Sequence, residues 1–155
     1  MRVKFYTLGC KVNQYETQAL MEQFLALGHQ VTEQCSDLCI INTCTVTSRA
    51  DRKSREAILK AKKENPEAKI AACGCLIQRN NNRIEDLGID YLIPQDNKAG
   101  VVDAILGKSS VSKDIWSFGI TKFFNHRAFV KIQDGCDNAC SFCKIPHLRG
   151  RSRSR

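Results

Sequence analysis

The sequence predicts an α/β fold in which an open parallel sheet is wrapped by helices. Three apolar runs rich in strand-forming residues, at positions 3–8, 38–41 and 68–72, support this prediction. A short distance after each run comes a cysteine that directly follows glycine or threonine. Between the runs lie segments in which apolar residues recur at helical spacing. Such β-α-β repetition with short connections is typical of a parallel sheet covered by helices.

Two helices are expected between these three strands. The first ends at Gly28 and has apolar residues at helical spacing: Leu20, Phe24 and Leu27. After the second strand, Ser48 and Asp51 resemble a capping box that opens a charged helix. Since proline cannot continue a helix, this second helix is expected to end near Pro66.

Weaker patterns follow the third strand. Residues 81–87 indicate a short helix, and residues 91–93 indicate a further strand. A last helix ends at Gly107 and has four apolar residues: Val101, Val102, Ile105 and Leu106. Residues 1–107 are therefore predicted to form one α/β domain.

The remaining residues divide into a linker and the beginning of a second domain. Residues 108–125 open with a short, serine-rich polar stretch and continue as an aromatic-bearing bridge, which we interpret as the linker. Residues 126–155 begin with a predicted strand at positions 128–132 and end in alternating arginines. Because such a tail is no sensible end for a folded domain, we expect an N-terminal portion of a longer protein, truncated in its second domain.

Composition favours a globular protein with an anionic partner. The chain has 155 residues, of which 43% are hydrophobic, and a formal net charge of +8. This charge favours nucleic acid as a partner, although soluble proteins without one can be equally basic. No secretory signal is visible, and no apolar run approaches the roughly 20 residues of a membrane-spanning helix. We therefore expect a cytoplasmic protein with no membrane partner.

Nine cysteines indicate metal or redox chemistry, because disulfides are disfavoured in a reducing compartment. Cys10, Cys44 and Cys75 follow three separate predicted strands. Ligands of open α/β sheets bind beyond the carboxyl ends of the strands, where these thiols would meet. We expect a metal or cluster site with one open coordination position. The alternatives are ordinary small residues at strand ends, or a zinc site.

Three other cysteines are interpreted differently. Cys39 lies within an apolar run and is expected in the core, whereas Cys35 is expected in a loop or at the surface. Cys73 stays open between a ligand, a spare thiol and a core residue, because strand alternation places it on the same side as Cys75.

A compact motif, C-x3-C-x2-C, consists of Cys136, Cys140 and Cys143. Three thiolates on one loop can hold three irons of a 4Fe–4S cluster and leave the fourth iron open to a small molecule. The alternative is zinc, with His147 as a fourth ligand.

This motif, with the aromatic Phe142 before its last cysteine, resembles that of the radical S-adenosylmethionine superfamily. Residues 133–138, 145–146 and 149–155 around it are similar to the methylthiotransferase family. The upstream residues that share this similarity are Gly9, Cys10, Asn13, Asn42, Thr43, Cys44, Gly74, Cys75 and Gln78.

The resemblance implies a radical enzyme with two 4Fe–4S clusters and S-adenosylmethionine as cofactors. In that family the cluster of the first domain delivers sulfur, and the second cleaves S-adenosylmethionine to a radical that attacks an unactivated adenine carbon. Phe142 would pack beside the adenine of S-adenosylmethionine or anchor the loop. The implied cluster ligands are Cys10, Cys44 and Cys75 in the first domain, and Cys136, Cys140 and Cys143 in the second.

Residues 9–17 look most like the subgroup that inserts a methylthio group at carbon 2 of N6-threonylcarbamoyladenosine, at tRNA position 37 beside the anticodon. Other subgroups act on isopentenyladenosine in tRNA or on an aspartate of a ribosomal protein. The implied partners are tRNA and an electron donor such as flavodoxin or ferredoxin. The terminal arginines would contact tRNA phosphate, line the active site or be solvated. The fragment alone is expected to be inactive.

Two functions of other classes remain open on the residues alone. One is an iron–sulfur protein whose two sites only carry electrons, and the other is a cysteine-rich zinc module that binds RNA.

Overall fold

The computed structural model describes residues 1–79, 84–107, 116, 119–122 and 127–155. The first part comprises β1 (Arg2–Thr7), α1 (Lys11–Ala26), β2 (Gln30–Val31), β3 (Leu38–Thr43), α2 (Ser48–Glu64), β4 (Lys69–Gly74), α3 (Cys75–Gln78), β5 (Tyr91–Pro94) and α4 (Val101–Leu106). Two 3-10 turns, Glu85–Leu87 and Gln95–Gly100, flank β5. The later residues form β6 (Gln133–Asp134), α5 (Ile145–Arg149) and β7 (Arg153–Ser154).

The first five strands form one parallel sheet in the order β2-β1-β3-β4-β5. The predicted open parallel sheet wrapped by helices is thereby confirmed. The chain leaves β1 toward β2 on one side and returns to β3 on the other, so the strand order reverses between β1 and β3. A crevice opens at such a reversal, beyond the carboxyl ends of the strands, and ligands of open α/β sheets bind there.

Helices cover both faces of the sheet, and each face has its own hydrophobic core. Residues of α1 and α4 form one core with the strands: Val3, Tyr15, Ala19, Leu20, Phe24, Leu38, Ile40, Ala71, Cys73, Ile93, Ala99, Val101 and Val102. Residues of α2 and α3 form the other: Cys39, Ile41, Ile58, Ala61, Ile70, Ala72, Leu76, Ile77 and Ile84. A strand buried on both faces reads as a continuous apolar run, which is why the sequence revealed β3 and β4 clearly.

The predicted helix boundaries are confirmed at three ends and displaced at one. Helix α1 ends before Gly28, α2 ends at Glu64 with Asn65 as its C-cap, and α4 ends at Leu106 with Gly107 as its C-cap. At the start of α2, however, the N-cap is Thr47, whose hydroxyl accepts from the Ala50 amide at 3.1 Å. Thr47 has the extended backbone of a cap, so Ser48 is already helical and the predicted capping box is wrong by one residue.

Two short segments differ from the sequence interpretation. Strand β2 has only two residues, too few for a periodic pattern, and was not predicted. The helix expected over residues 81–87 falls partly outside the described residues, and its described end is the 3-10 turn Glu85–Leu87.

The strand predicted at positions 128–132 is wrong. The first strand after the linker is β6, which pairs antiparallel with β7. Residues 128–132 have no strand assigned, and Val130 and Ile132 are 72% and 70% exposed. The Ile132 carbonyl accepts from the Arg155 amide at 3.0 Å, just outside the β6–β7 pair. The boundaries at 107/108 and 125/126 stay predictions, since most linker residues lie outside the described part.

Within the described residues, no helix is both long and apolar enough to cross a membrane.

Candidate metal centres

The three predicted strand-end cysteines lie at one edge of the sheet. Cys10 is the N-cap of α1, Cys44 directly follows β3, and Cys75 is the first residue of α3 directly after β4. Strands β3 and β4 are in register up to their last residues, so Cys44 and Cys75 follow the ends of neighbouring strands. Cys10 follows β1, and the set therefore lies across the reversal of strand order.

The turn before Cys10 packs directly on Cys44. Gly9 has a positive φ of +93°, and a Cβ at this position would lie 2.5 Å from both the Cβ and the Sγ of Cys44. Only glycine fits here, because a side chain would be strained in this conformation and would collide with the thiol. The absence of a side chain at Gly9 thus lets the turn that precedes Cys10 lie directly against Cys44.

Asparagine side chains join the ends of β1 and β3. Asn13 Nδ2 donates to the carbonyl oxygens of Leu8, at 2.8 Å, and Thr43, at 3.0 Å, which lie just before Cys10 and Cys44. These bonds satisfy carbonyl groups that the sheet leaves open at its edge. The same residue accepts from Arg149 in the second part of the chain, at 2.7 Å.

Cys44 is held through its backbone. Its amide donates to Ser54 Oγ at 2.9 Å, and the same hydroxyl donates to the Cys44 carbonyl at 2.8 Å. Because the thiol takes no part in these bonds, it is available as a ligand without loss of the local structure.

Burial raises the pKa of the Cys75 thiol, while the nearby cations of Arg149 and Lys98 oppose this shift. The Cys44 thiol also raises the pKa of the Cys75 thiol, which agrees with the closeness of the two groups. A site with buried sulfur and adjacent positive charge suits thiolate ligands, because the cations stabilise their charge.

The other cysteines of this part lie away from the edge or within the cores. Cys39 is buried in β3, where burial raises its pKa and the Ser36 hydroxyl lies 3.2 Å from its sulfur. Cys73 is fully buried in β4, and burial raises its pKa to about 11. Cys35 is exposed. The predicted core position of Cys39 and surface position of Cys35 are confirmed, and Cys73 is a core residue.

The Cys35→Ser and Cys39→Ala variants are expected to keep the full iron content of the protein. Neither residue lies at the carboxyl end of a strand, and Cys39→Ala should only lower the free energy of unfolding, by about 1 kcal/mol, through lost core packing. Iron analysis after anaerobic reconstitution, with urea unfolding, measures both effects. Loss of one cluster's iron in either variant would show that the ligand assignment is wrong.

The compact motif forms a pocket of its own. A cavity of about 390 Å³ is lined by its three cysteines and by residues on either side: Cys136, Asp137, Asn138, Ala139, Cys140, Ser141, Cys143, Pro146, His147, Gly150 and Arg151. The Cys143 amide donates to the Cys140 carbonyl, and the Cys136 amide donates to the Gly150 carbonyl. Gly135, with φ +74°, lies so close to the Arg151 backbone that a Cβ would overlap it.

No three histidine, cysteine, aspartate or glutamate side chains in the described ranges are gathered as a single metal ion would require. One ion needs all its ligand atoms around one point, whereas a 4Fe–4S cluster takes each thiolate on a different iron. Three thiols are a donor set that suits such a cluster at both places. Three thiols line the pocket, and at the sheet edge Cys10 follows Gly9, which packs on Cys44, while Cys75 follows the neighbouring strand β4.

The structure contradicts one of the alternatives for Phe142, the loop anchor, and one of those for Arg149, the phosphate contact. The packing of Phe142 beside the adenine of S-adenosylmethionine stays a prediction. Phe142 is 87% exposed, so it does not anchor the loop against any described residue. Arg149 is buried and bonded to carboxylates, so the reading of it as a phosphate contact is wrong, while Arg151, Arg153 and Arg155 are exposed. The sequence analysis did not identify Glu16 as a partner of Arg149, nor Lys98 and Lys131 as further partners of Glu16. The only signal in the sequence was a charged residue on a buried face of a helix.

Residues 2–93, more than half of the chain, match the Uncharacterized protein family UPF0004. The chain belongs to this family. Among its curated relatives, the chain is similar to "Threonylcarbamoyladenosine tRNA methylthiotransferase MtaB" of Aquifex aeolicus, at 36% identity over 99% of this chain and 42% of that protein. The protein of that name from Chlamydia pneumoniae is 40% identical over 98% of this chain and 37% of its own length.

A third relative is "Ribosomal protein uS12 methylthiotransferase RimO" of Solibacter usitatus, 31% identical over 100% of this chain and 36% of that protein. The predicted resemblance to the methylthiotransferases is confirmed by these matches. The chain spans about two fifths of the length of the curated relatives it matches.

Proposed function

We propose that this chain is part of a tRNA methylthiotransferase that inserts a methylthio group at carbon 2 of N6-threonylcarbamoyladenosine at tRNA position 37. The observation that carries the proposal is the placement of two sets of three cysteines, one at the reversal of strand order and one around a pocket. Identities of 36% and 40% to proteins named for this activity support the choice of nucleoside.

In this proposal, Cys10, Cys44 and Cys75 hold one 4Fe–4S cluster. Cys44 and Cys75 are buried, whereas Cys10 is exposed at the N-terminus of α1. The proposed site is therefore covered by the sheet domain on one side and open to solvent beside Cys10. A cluster held in this way would be shielded from water by the sheet and would present its open side to the crevice.

Cys136, Cys140 and Cys143 hold the second 4Fe–4S cluster, and their loop leaves one coordination position for S-adenosylmethionine. The exposed ring of Phe142 would pack against the adenine of this cofactor, which would remove its apolar surface from water. When bound, the clusters and S-adenosylmethionine supply the sulfur, the methyl group and the radical that an unactivated adenine carbon requires.

The contribution of the chain itself is to bind and orient these groups. Arg149 and Lys98 stabilise negative charge at the Cys75 thiol, and the Cys44 backbone is fixed by Ser54. Exposed Arg151, Arg153 and Arg155 would contact tRNA phosphate, an interaction that weakens as salt concentration rises. A cytoplasmic location and an electron donor such as flavodoxin or ferredoxin complete the proposal.

Deletion of the gene is expected to remove the 2-methylthio derivative of N6-threonylcarbamoyladenosine from cellular tRNA while the unmodified nucleoside accumulates. Mass spectrometry of digested tRNA measures both nucleosides. Expression of the wild-type or Cys35→Ser protein should restore the derivative, whereas Cys44→Ala should not, because only Cys44 is a proposed ligand.

Other outcomes of this experiment identify the alternatives. Loss of the methylthio derivative of isopentenyladenosine, or of the modification on a ribosomal protein, would replace the proposed substrate. An unchanged set of modifications in both tRNA and ribosomal protein would overturn the methylthiotransferase assignment and favour an electron carrier.

A further inference from the structure

A group of five buried charged side chains lies beside the two cysteine sets. At its centre is Glu16 of α1, whose side chain is 1% exposed. Its carboxylate lies 2.7 Å from Lys98 Nζ and 2.7 Å from Lys131 Nζ, and 3.1 Å from Arg149 Nη1. Three cations therefore meet at one carboxylate in the interior.

Asp134 is the second carboxylate of the group. Its oxygens lie 2.8 Å from Lys131 Nζ and 2.9 Å from Arg149 Nη1. The group thus has three positive and two negative charges, all buried. Removing ions from water is unfavourable unless each has a close partner, so loss of one carboxylate would leave cations uncompensated.

Burial by itself would raise the pKa of Glu16, but Lys98, Arg149 and Lys131 lower it well below its usual value. Burial would likewise lower the pKa of Arg149, yet Glu16 and Asp134 raise it above its usual value. Both side chains are therefore ionised at neutral pH, and their attraction is that of full charges.

The group connects two distant parts of the chain. Glu16 and Lys98 belong to the sheet domain, whereas Lys131, Asp134 and Arg149 belong to residues 127–155. The two core clusters of the sheet contain no residue of this later segment, although Leu148 of α5 is also buried and α5 lies against α3 and the turn Gln95–Gly100. The charged group is therefore the buried polar link between the two parts that the structure describes.

The same residues contact the supports of both cysteine sets. Arg149 Nη2 donates to Asn13 Oδ1, and Asn13 in turn binds the carbonyl of Thr43 next to Cys44. On the other side, Arg149 is followed by Gly150, whose carbonyl accepts from the Cys136 amide at 3.1 Å.

A second contact brings the sets together. Lys144, directly after Cys143, donates to the carbonyl of Thr45, directly after Cys44, at 3.4 Å. This contact would hold the two loops side by side only if the later segment is also kept in place elsewhere, because a single bond at 3.4 Å from a long, half-buried side chain orders little.

We propose that Glu16 is a positioning residue that, through Arg149, Lys131 and Asp134, sets the spacing between the two cysteine sets. The inference rests on the proposed function, since the spacing matters for catalysis only if both sets hold reacting groups. The alternative is that the group merely contributes to stability. Buried ion pairs are weak contributors to net stability, and the sheet has two hydrophobic cores that do not need it.

The first test is hydrogen exchange of the Glu16→Gln protein, followed by mass spectrometry. Glutamine keeps the size of the side chain but removes its charge. Lys131 and Arg149 then keep the carboxylate of Asp134, whereas Lys98 loses the carboxylate that lies 2.7 Å from its Nζ. Exchange over residues 133–155 is expected to accelerate on the order of tenfold or more, while β3 and β4 exchange as in the wild type. Glu56→Gln, in an exposed pair with Arg52, is the matched control and should change neither region.

The second test is spectroscopic and uses the full-length protein after anaerobic reconstitution. Glu16→Gln should keep the iron content of both sets, but the magnetic interaction between the two reduced clusters, measured by electron paramagnetic resonance, should weaken. A purely stabilising residue would lower the melting temperature and leave that interaction unchanged in the folded protein. Should Glu16→Gln not fold, Asp134→Asn removes the charge from the later segment and is expected to give the same local effects.

Unchanged exchange over residues 133–155 and an unchanged magnetic interaction in the folded variant would overturn the inference. Failure of the wild-type protein to bind iron would instead overturn the proposed function, while the exchange measurement would still decide whether Glu16 holds the segment.

Discussion

The Cys44→Ala variant of the full-length enzyme is expected to abolish methylthiolation of tRNA while leaving reductive cleavage of S-adenosylmethionine largely intact. Cys44 belongs to the set at the sheet edge, to which we propose to assign sulfur delivery. It takes no part in the compact motif that we propose binds S-adenosylmethionine. Its backbone is bonded to Ser54 through the amide and carbonyl, so alanine should preserve the local fold.

The assay measures 5′-deoxyadenosine beside methylthiolated tRNA, anaerobically and with a strong reductant. Cys35→Ser, which also removes a thiol from the first domain, is the control and should form both products at the wild-type rate. If Cys44→Ala still makes methylthiolated tRNA at the wild-type rate, the strand-end cysteines are not the source of sulfur and the central assignment is wrong.

Replacement of Cys136, Cys140 and Cys143 together by alanine is expected to remove about half of the bound iron and to abolish both products. The reason is that the two sets of three cysteines are separate, and in the proposed function each set holds one 4Fe–4S cluster with three thiolates. Cys140→Ala alone should also abolish both products, since the three thiols line one pocket.

Iron and sulfide analysis with a visible absorption spectrum provides the measurement, and the Cys10, Cys44 and Cys75 triple variant is the matched comparison. That variant should lose the other half of the iron yet still cleave S-adenosylmethionine. Complete loss of iron from either triple variant, or no loss at all, would contradict two independent sites. Zinc in place of iron in the wild type would favour the RNA-binding module.

Local patterns explain why much of the sheet domain could be predicted. Strands β3 and β4 are buried on both faces and therefore consist of continuous apolar runs, which place Cys44 and Cys75 directly after them. The parallel order then follows from the alternation of helices and strands. For the compact motif, spacing within eight residues is itself the signal, because a loop needs no long-range pairing to gather its thiols.

Sequence patterns gave wrong predictions where interactions in the folded chain decide the local structure. The stretch at positions 128–132 is rich in strand-forming residues, but the assigned pairing with β7 begins only at Gln133. Ser48 and Thr47 are both good caps, and only the backbone of the folded chain selects Thr47.

The sequence by itself determined the α/β class, the three strand-end cysteines, the compact motif and the family, because periodicity, spacing and residue type are properties of neighbouring positions. The tertiary structure alone decided that Glu16, Lys98, Lys131, Asp134 and Arg149 form one buried group. Their separations along the chain reach 133 residues, between Glu16 and Arg149, and no local pattern connects positions so far apart. These five side chains form close ion pairs only after folding has removed water from around them. Their role therefore depends on the tertiary structure.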